Sequence, residues 1–496
     1  MDRVSWLDRA IGTVAPQIAL RRLLARHSFD TLKRGYDGAA KGRRTDGWRA
    51  AGTSADTEVA VAGALLRDRM RDLVRNNPHA AKAVSVLVNN IVGSGIIPRA
   101  ASGNDKIDAQ ANRLWTNWSA QCDADGQLDF LGLQTLACRQ MIEAGEVLLR
   151  RRPRRPSDGL EVPLQLQVLE ADMLDSGRNG DLPDGGRVVQ GIEFDPIGRR
   201  RSYWLFAQHP GDNAVSLKRR IDSLAVPASD ILHLYEKQRM QVRGVPWGTP
   251  VMRPLRDLDD WTQAELVRKK TEACVVGIVL GADEAEQGIA PSVVDADGNR
   301  VEQFEPGLIA YARGGKDIKF NQPATTAGVS EWLRSQLQIV AAGFRIPYEL
   351  MTGDLSQVNY SSIRAGLVEF RRLIDAVQWQ IFVPVFCQPS WDWFTAQAWA
   401  AGQLPQPKIA VEWQPPRFEA VDPLKDAMAD LLAMRSGTMT LAQAIARQGN
   451  NPDAVLAEIA ATNTKIDTLG LILDSDPRHV TKTGILQAGE TSLNAP

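Results

Sequence analysis

The spacing of apolar positions changes period along the chain, from helical to alternating and back to helical. A first helix is predicted from a cap at Asp56 or Thr57 through EVAVAGALLRDRMRDLVRNN, where Val61, Leu65, Met70 and Val74 recur at helical spacing. Pro78 restarts it, AAKAVSVLVNNIV continues it, and Gly93 and Gly95 end it before a short strand in GIIPRA. Helices follow at about 105 to 120, with Leu114, Trp115 and Trp118 on one side, and at about 131 to 144. Then the period shortens. EVLLRRR, LQLQVLE, VVQGIEFD, RSYWLFA and DILHLYE read as strands, being short, rich in Val, Ile, Leu and aromatics, and punctuated by Gly, Pro and Asp.

A helix is predicted from near Pro250 to Cys274, then a strand at 275 to 280, and LIAYARGGKDIKF is expected to form a hairpin turning at Gly314-Gly315. From Val329 onward the pattern is mainly helical: 329 to 343, 361 to 382, 386 to 401 with Pro384 as a break, and two more helices between 423 and 461. The last thirty-five residues show no sustained apolar period, and no repeat of fixed length is visible. Helix, strand block and helix together predict an α+β fold. Within it GDLSQVNYSSIRAGLVEFRR, residues 353 to 372, stands out because a polar half runs directly into an amphipathic helix.

Composition narrows the class. At 496 residues the chain has room for roughly two to four domains at about 100 to 200 residues each. Apolar content of 44%, charged content of 24% and a net charge of -1 exclude a disordered chain or a dedicated polybasic nucleic-acid binder. Charge is local: up to residue 50 there are eleven Lys or Arg against five Asp, so residues 1–57 read as a basic arm or a solvated leader. Cys122, Cys138, Cys274 and Cys387 are far apart and are expected to be reduced thiols in the cytoplasm. No run of about 20 apolar residues suggests a membrane span, and the start has no signal-peptide pattern.

Catalytic chemistry is not found. GGKD at 314 to 317 lacks the first glycine and the hydroxyl of a phosphate loop, and no GxSxG elbow occurs. His27, His79, His209, His233 and His479 have no metal-ligand spacing, and His233 in ILHLY reads as a packed, satisfied imidazole. No catalytic residue, metal or cofactor is therefore expected. Trp391, Trp393, Phe394 and Trp399 in WDWFTAQAW suit base stacking or protein packing, and packing is the commoner use. The five arginines of LLRRRPRRP, residues 148 to 156, suit a phosphate or acidic partner as well as a charged hairpin tip.

Several stretches in order resemble the portal proteins of lambda-like tailed bacteriophages: RDLVRNNPHAAKAVSVLVNNIVGSGI, GIEFDPIGRRRSYWLF, QVRGVPWGTPV, AAGFRIPYELMTGDLSQVNYSSIRAGLVEFRR and VDPLKDAMADLLAMRSGTMTLAQAIARQGNNP. The resemblance spans about residues 58 to 461 and implies a portal fold with wing, stem, clip and crown, assembling as a ring, usually of twelve copies. On it the chain divides into a basic arm 1–57, a wing region 58–326, stem helices and clip 327–385, a tunnel-side helix and wing strand 386–421, a helical crown 422–465 and a loose tail 466–496. The ring is expected at one capsid vertex of the virion, after assembly in the host cytoplasm. Double-stranded DNA passes through it without sequence specificity, and the resemblance implies no enzyme activity in the subunit. Its implied partners are the large terminase subunit, head-completion proteins, and the major capsid protein or scaffold. On the resemblance Tyr348, Gly353, Asp354, Asn359, Tyr360 and Ser361 fall in a projecting clip and subunit interface, with Ser361 or Asn359 capping the outgoing helix. Arg364, Arg371, Arg372 and Gln378 then fall on a DNA channel, and FVPVF near a tunnel loop. The residues alone leave two rivals: a nuclease of phage DNA metabolism, which needs clustered carboxylates, and a nucleic-acid-binding adaptor using the arginine run.

Overall fold

Asn77 shows why the first helical stretch divides at Pro78. Its side-chain oxygen accepts from the backbone N–H groups of His79 and Ala80 at 2.9 and 3.0 Å, capping a new helix at the point where proline cannot continue the old one. The computed structural model describes residues 46, 52–212, 222–282, 293–294, 300–301, 308–313, 317–319, 328–356, 360–416, 418, 423–450, 452–473, 476 and 478, with backbone alone at 271–319 and 360–362. The basic arm 1–57 and most of the tail thus lie largely outside the described residues. Ala55–Pro496 is one unit.

Its elements run α1 (Ala55–Asn76), α2 (Pro78–Ile91), β1 (Ile97–Ala100), α3 (Asp105–Ser119), α4 (Phe130–Glu143), β2 (Glu146–Pro153), β3 (Leu164–Glu170), β4 (Gly180–Asp181), β5 (Arg187–Val189), β6 (Ile192–Phe194), β7 (Arg200–Phe206), β8 (Ser223–Pro227) and β9 (Ile231–Tyr235). After them come α5 (Met252–Cys274), β10 (Val275–Ala282), β11 (Val293–Val294), β12 (Arg300–Val301), β13 (Leu308–Arg313), β14 (Asp317–Lys319), α6 (Val329–Gly343), α7 (Tyr348–Thr352) and α8 (Tyr360–Val377). A π-helix (Gln378–Cys387) leads into α9 (Gln388–Ala400), β15 (Val411–Gln414), α10 (Pro423–Arg435), α11 (Leu441–Arg447) and α12 (Pro452–Leu469). Mixed helix and sheet is the observed class, as the periodicity predicts.

Two sheets make up the strand-rich block. β2 lies between β3 and β9, antiparallel to both, and β4 to β8 form an antiparallel meander in sequence order. The inner face of β2 (Val147, Leu149) joins a large core shared with α1 to α4 and the helices after residue 329, while Leu148 on its other face packs against the meander. β1 pairs antiparallel with β15, more than 300 residues later, which closes the helical layer into one body.

Four expectations are corrected. The strands around Gly314-Gly315 do not pair as a hairpin: β13 runs parallel to β10 on one side, and β14 runs antiparallel to it on the other. Pro384 does not break the chain and leaves no tunnel loop there, because residues 360 to 400 are continuously helical. In an α-helix its ring clashes with the carbonyl four residues back; the π-helix pairs five residues apart and relieves the clash. Three helices, not two, follow residue 423, and α12 reaches Leu469, past the expected start of the tail at 466. Ser361 lies inside the first turn of α8, not at its cap, and Asn359 falls outside the described residues.

The Trp-rich stretch is used for packing. Trp391 and Phe394 are fully buried and share an aromatic cluster with Trp115, Trp118, Phe130 and Phe386, ring centroids being 4.8 to 6.0 Å apart. The indole N–H groups of Trp118 and Trp391 donate to Leu164 and Ile409 carbonyls, each at 2.8 Å. No helix among the described residues is long and apolar enough to cross a membrane.

Candidate functional site

The polar knuckle after α7 is built around Asp354. Gly353 ends α7 in the left-handed region, at φ 75°, where its N–H donates to the Glu349 carbonyl at 2.8 Å. That turn brings the Asp354 carboxylate to Arg334 of α6 (3.1 Å), the Tyr348 hydroxyl (3.0 Å) and the Ser356 N–H (3.0 Å), and these donors hold it below the usual carboxylate range, Ser356 most strongly. Tyr348, Gly353 and Asp354 therefore lie together at one turn. Phe344, Ile346 and Met351 just before it are 0 to 5% exposed and belong to the main core, so α7 is anchored against the body.

Three of the four expected channel residues, Arg371, Arg372 and Gln378, line one cleft, and Arg364 reaches Asp426 on its opposite wall. Gln378 is 1% exposed, and its side-chain nitrogen donates to the Ile91 carbonyl at 2.7 Å, which ties it to the core at the floor of that cleft. It stands four residues after the buried Ile374, so helical spacing turns it inward. Arg364 and Arg372 are exposed; Arg364 lies 3.5 Å from Asp426 of α10 and Arg372 lies 3.4 Å from Glu369. The Arg371 guanidinium sits 5.2 Å from the Phe418 ring centre, and Arg371 and Asp375 face an open cleft of about 1180 Å³ between α8 and the helices that follow β15.

Another pair of helices brackets a strand-bearing insertion. α5 packs on α6 through Trp261 and Trp332, whose ring centres are 4.3 Å apart, and between the two helices the chain carries all five strands β10 to β14. Hydrophobic spacing predicts both helices but not their pairing, since the contact joins residues 71 positions apart.

The arginine run is a hairpin end, as one of its two readings has it. Arg151 turns to Asp230 at 2.9 Å, and Arg154 donates to Gln165 at 2.7 Å.

QVRGVPWGTPV lies beside a buried ionic junction that periodicity does not reveal. The Glu146 carboxylate accepts from Arg243 Nε (2.7 Å) and from the Gly244 N–H (2.8 Å). His233 stands between Glu146 and Arg200, with Nε2 2.9 Å from the carboxylate and Nδ1 2.8 Å from the guanidinium. Arginine can only donate, so Nδ1 accepts and Nε2 carries the proton to Glu146: the imidazole is neutral. Burial pushes it down to about 4, and the same arginine and imidazole neighbours hold Glu146 far below the carboxylate range despite complete burial. Two glycines permit the approach. A Cβ on Gly244 would stand 2.1 Å from the Gly145 carbonyl, and one on Gly145 would stand 2.4 Å from the Val245 backbone.

Among the described residues one group could offer ligands to a metal: Glu170, Asp172 and His209. Sequence spacing misses it. Arg71 Nη2 lies 2.7 Å from both carboxylates, so a guanidinium already fills the cation's place.

Residues 41–378 match the family model described as phage portal protein, lambda family. The chain belongs to that family. A probable portal protein of Halomonas phage phiHAP-1 is 25% identical over 466 residues, covering 89% of this chain and 88% of the relative. The portal protein of Escherichia phage N15 is 22% identical over 479 residues, covering 86% and 89%. Among solved structures, a chain from the neck of a native GTA particle computed with C12 symmetry has a TM-score of 0.42 at 17% identity, covering 79% of this chain and 99% of that one. Another, from the neck of an empty GTA particle computed with C6 symmetry, scores 0.43 at 16% identity, covering 82% and 97%. The function is thus that of a portal protein, a structural rather than catalytic family, and the nuclease reading is not favoured.

Proposed function

We propose that the chain is the repeating subunit of a portal ring, of about twelve copies on the family resemblance, set at one capsid vertex of the virion. Double-stranded DNA enters through its channel during packaging and leaves by it at ejection. The observation that carries the regional assignment is the α5–α6 pair with its strand-bearing insertion. In this reading α5 and α6 are the stem, and 275–327 is the clip that receives the large terminase subunit first and head-completion proteins afterwards. The knuckle of Tyr348, Gly353 and Asp354 supports the foot of α6, and Tyr360 and Ser361 open α8 beyond it. Arg364, Arg371 and Arg372 form a mixed-charge surface near the DNA path. Pairing them with acids suits sliding, because unscreened basic contacts would each hold a phosphate. The body from α1 to β9 is the wing, and α10 to α12 are the crown.

Mass measurement of the purified chain tests the ring, and a single-subunit mass at every concentration would overturn it. Replacing 275–327 by a short Gly/Ser linker tests the regions separately. The shortened chain should still fold but should no longer capture terminase; undiminished capture would remove the clip from this segment.

A further inference from the structure

The chain enters α5 and leaves α6 through one crossing. Residues 236–251 carry it from β9 into α5, and 344–347 carry it out of α6 toward α7. The two segments are in contact: a Cβ on Gly343 would stand 2.1 Å from Val251 Cγ1, and one on Gly248 would stand 2.9 Å from the Phe344 ring. At this crossing Arg345 holds an unfavourable backbone conformation. The Arg345 N–H donates to the Ala342 carbonyl and the Ile346 N–H to the Ala341 carbonyl, both at 3.0 Å, a helix closure that places Arg345 in the left-handed region at φ 62°. Glycine is the usual occupant there, and an L side chain disfavours that conformation by about tenfold.

What offsets this cost lies on the other side of the crossing. The Arg345 guanidinium makes two bonds to the Glu236 carboxylate, at 2.8 and 2.7 Å, and its Cζ lies 4.2 Å from the centre of the Trp247 ring, which is 4% exposed. We propose that Arg345, Glu236 and Trp247 form a latch that fixes the direction in which the chain leaves α6. Arg345 is thus a positioning residue, acting through the turn it occupies. When the latch opens, its φ returns to the negative side, and Ile346, kept out of the helix by Pro347, takes a new course toward the knuckle at Asp354. In the portal reading of α5 and α6 as the stem, the latch sets how the stem is seated on the wing, yet it lies within one chain and needs no ring.

Hydrogen exchange of the full chain tests it, read on a peptide covering 344–354, with peptides of α2 and α4 reporting global unfolding. Glu236→Ala removes none of the turn's backbone bonds, yet it should speed exchange at Arg345 and Ile346 by about tenfold. Glu236→Gln, a milder change, should do the same in smaller measure. Adding Arg345→Gly to Glu236→Ala should return those amides to the parent rate, because glycine holds the turn without a latch; adding Arg345→Ala should not. Parent-rate exchange in both Glu236 variants, with α2 and α4 still protected, would overturn the latch. Equal exchange in the glycine and alanine double variants would overturn the backbone cost on which it depends.

Discussion

The ionic junction at Glu146 and the outer face of α10 invert the usual arrangement in opposite directions. In the first, a carboxylate, two guanidiniums and an imidazole sit inside the body, each with a partner. In the second, Leu424, Met428, Leu431 and Leu432 of α10 stand 38 to 72% exposed. A buried charge network is tolerable only when complete, so the junction must finish itself within one subunit. An apolar stripe can wait, because water is a poor but not forbidden neighbour. The contrast separates what one chain stabilises alone from what it leaves for assembly.

The largest effect is expected at Glu146. Glu146→Ala strands Arg243 and the His233 Nε2–H in the interior and should cost about 3–5 kcal/mol of unfolding free energy, read as a lowered denaturation midpoint. A loss near zero would break the comparison, since the junction would then not be the completed network described. Gly244→Ala comes next. Its Cβ meets a backbone carbonyl rather than a yielding side chain, and a cost of about 1–3 kcal/mol is expected by the same measurement.

Acid offers a gentler probe. The neutral His233 has a folded value lowered to about 4, so the stability it contributes is complete above its unfolded value near 6.5 and is lost as pH falls through that window. Burial lowers His79 as well, which adds in the same direction. Denaturation midpoints should decline between pH 7 and pH 4.5, and His233→Gln should flatten part of that slope. The smallest effect belongs to α10: Leu424→Asp with Leu431→Asp should leave the unfolding free energy of the dissociated subunit within about 0.5 kcal/mol of the parent. A larger loss would mean that the stripe already packs against its own chain, and the contrast would collapse.

Helices and strands were legible wherever one face repeats, as in α1, α3 and β2. The motifs of the family resemblance were legible too, but not what some of them do: Arg243 and Gly244 in QVRGVPWGTPV brace a carboxylate nearly a hundred residues away, and no local pattern records that partner. β8 escaped notice because its residues, SLAVP, neither alternate nor run apolar for long. The knuckle looked like a projecting joint because its polar residues were read without Phe344, Ile346 and Met351, which tie the adjoining segment into the core. Gln378 stands four residues after the buried Ile374, so its inward turn follows from spacing, whereas its bond to the Ile91 carbonyl does not. The inversion of α10 could not be read at all, since an amphipathic pattern has two faces and the sequence does not say which one turns inward.

The π-helix between α8 and α9 also sets a phase. Ten residues wound more widely than their neighbours change the angle at which the arginine-bearing face of α8 leaves the aromatic cluster that clamps α9. Each α-helical residue advances the azimuth by about 100°. A residue in the wider π-helical winding advances it by less, so loss of one from this stretch would leave the rod continuous and the clamp intact, yet swing Arg364, Arg371 and Arg372 together by somewhat under a quarter turn. The widened turn acts as a rotary setting for everything that precedes it on the rod, fixed in length by Pro384 at its centre.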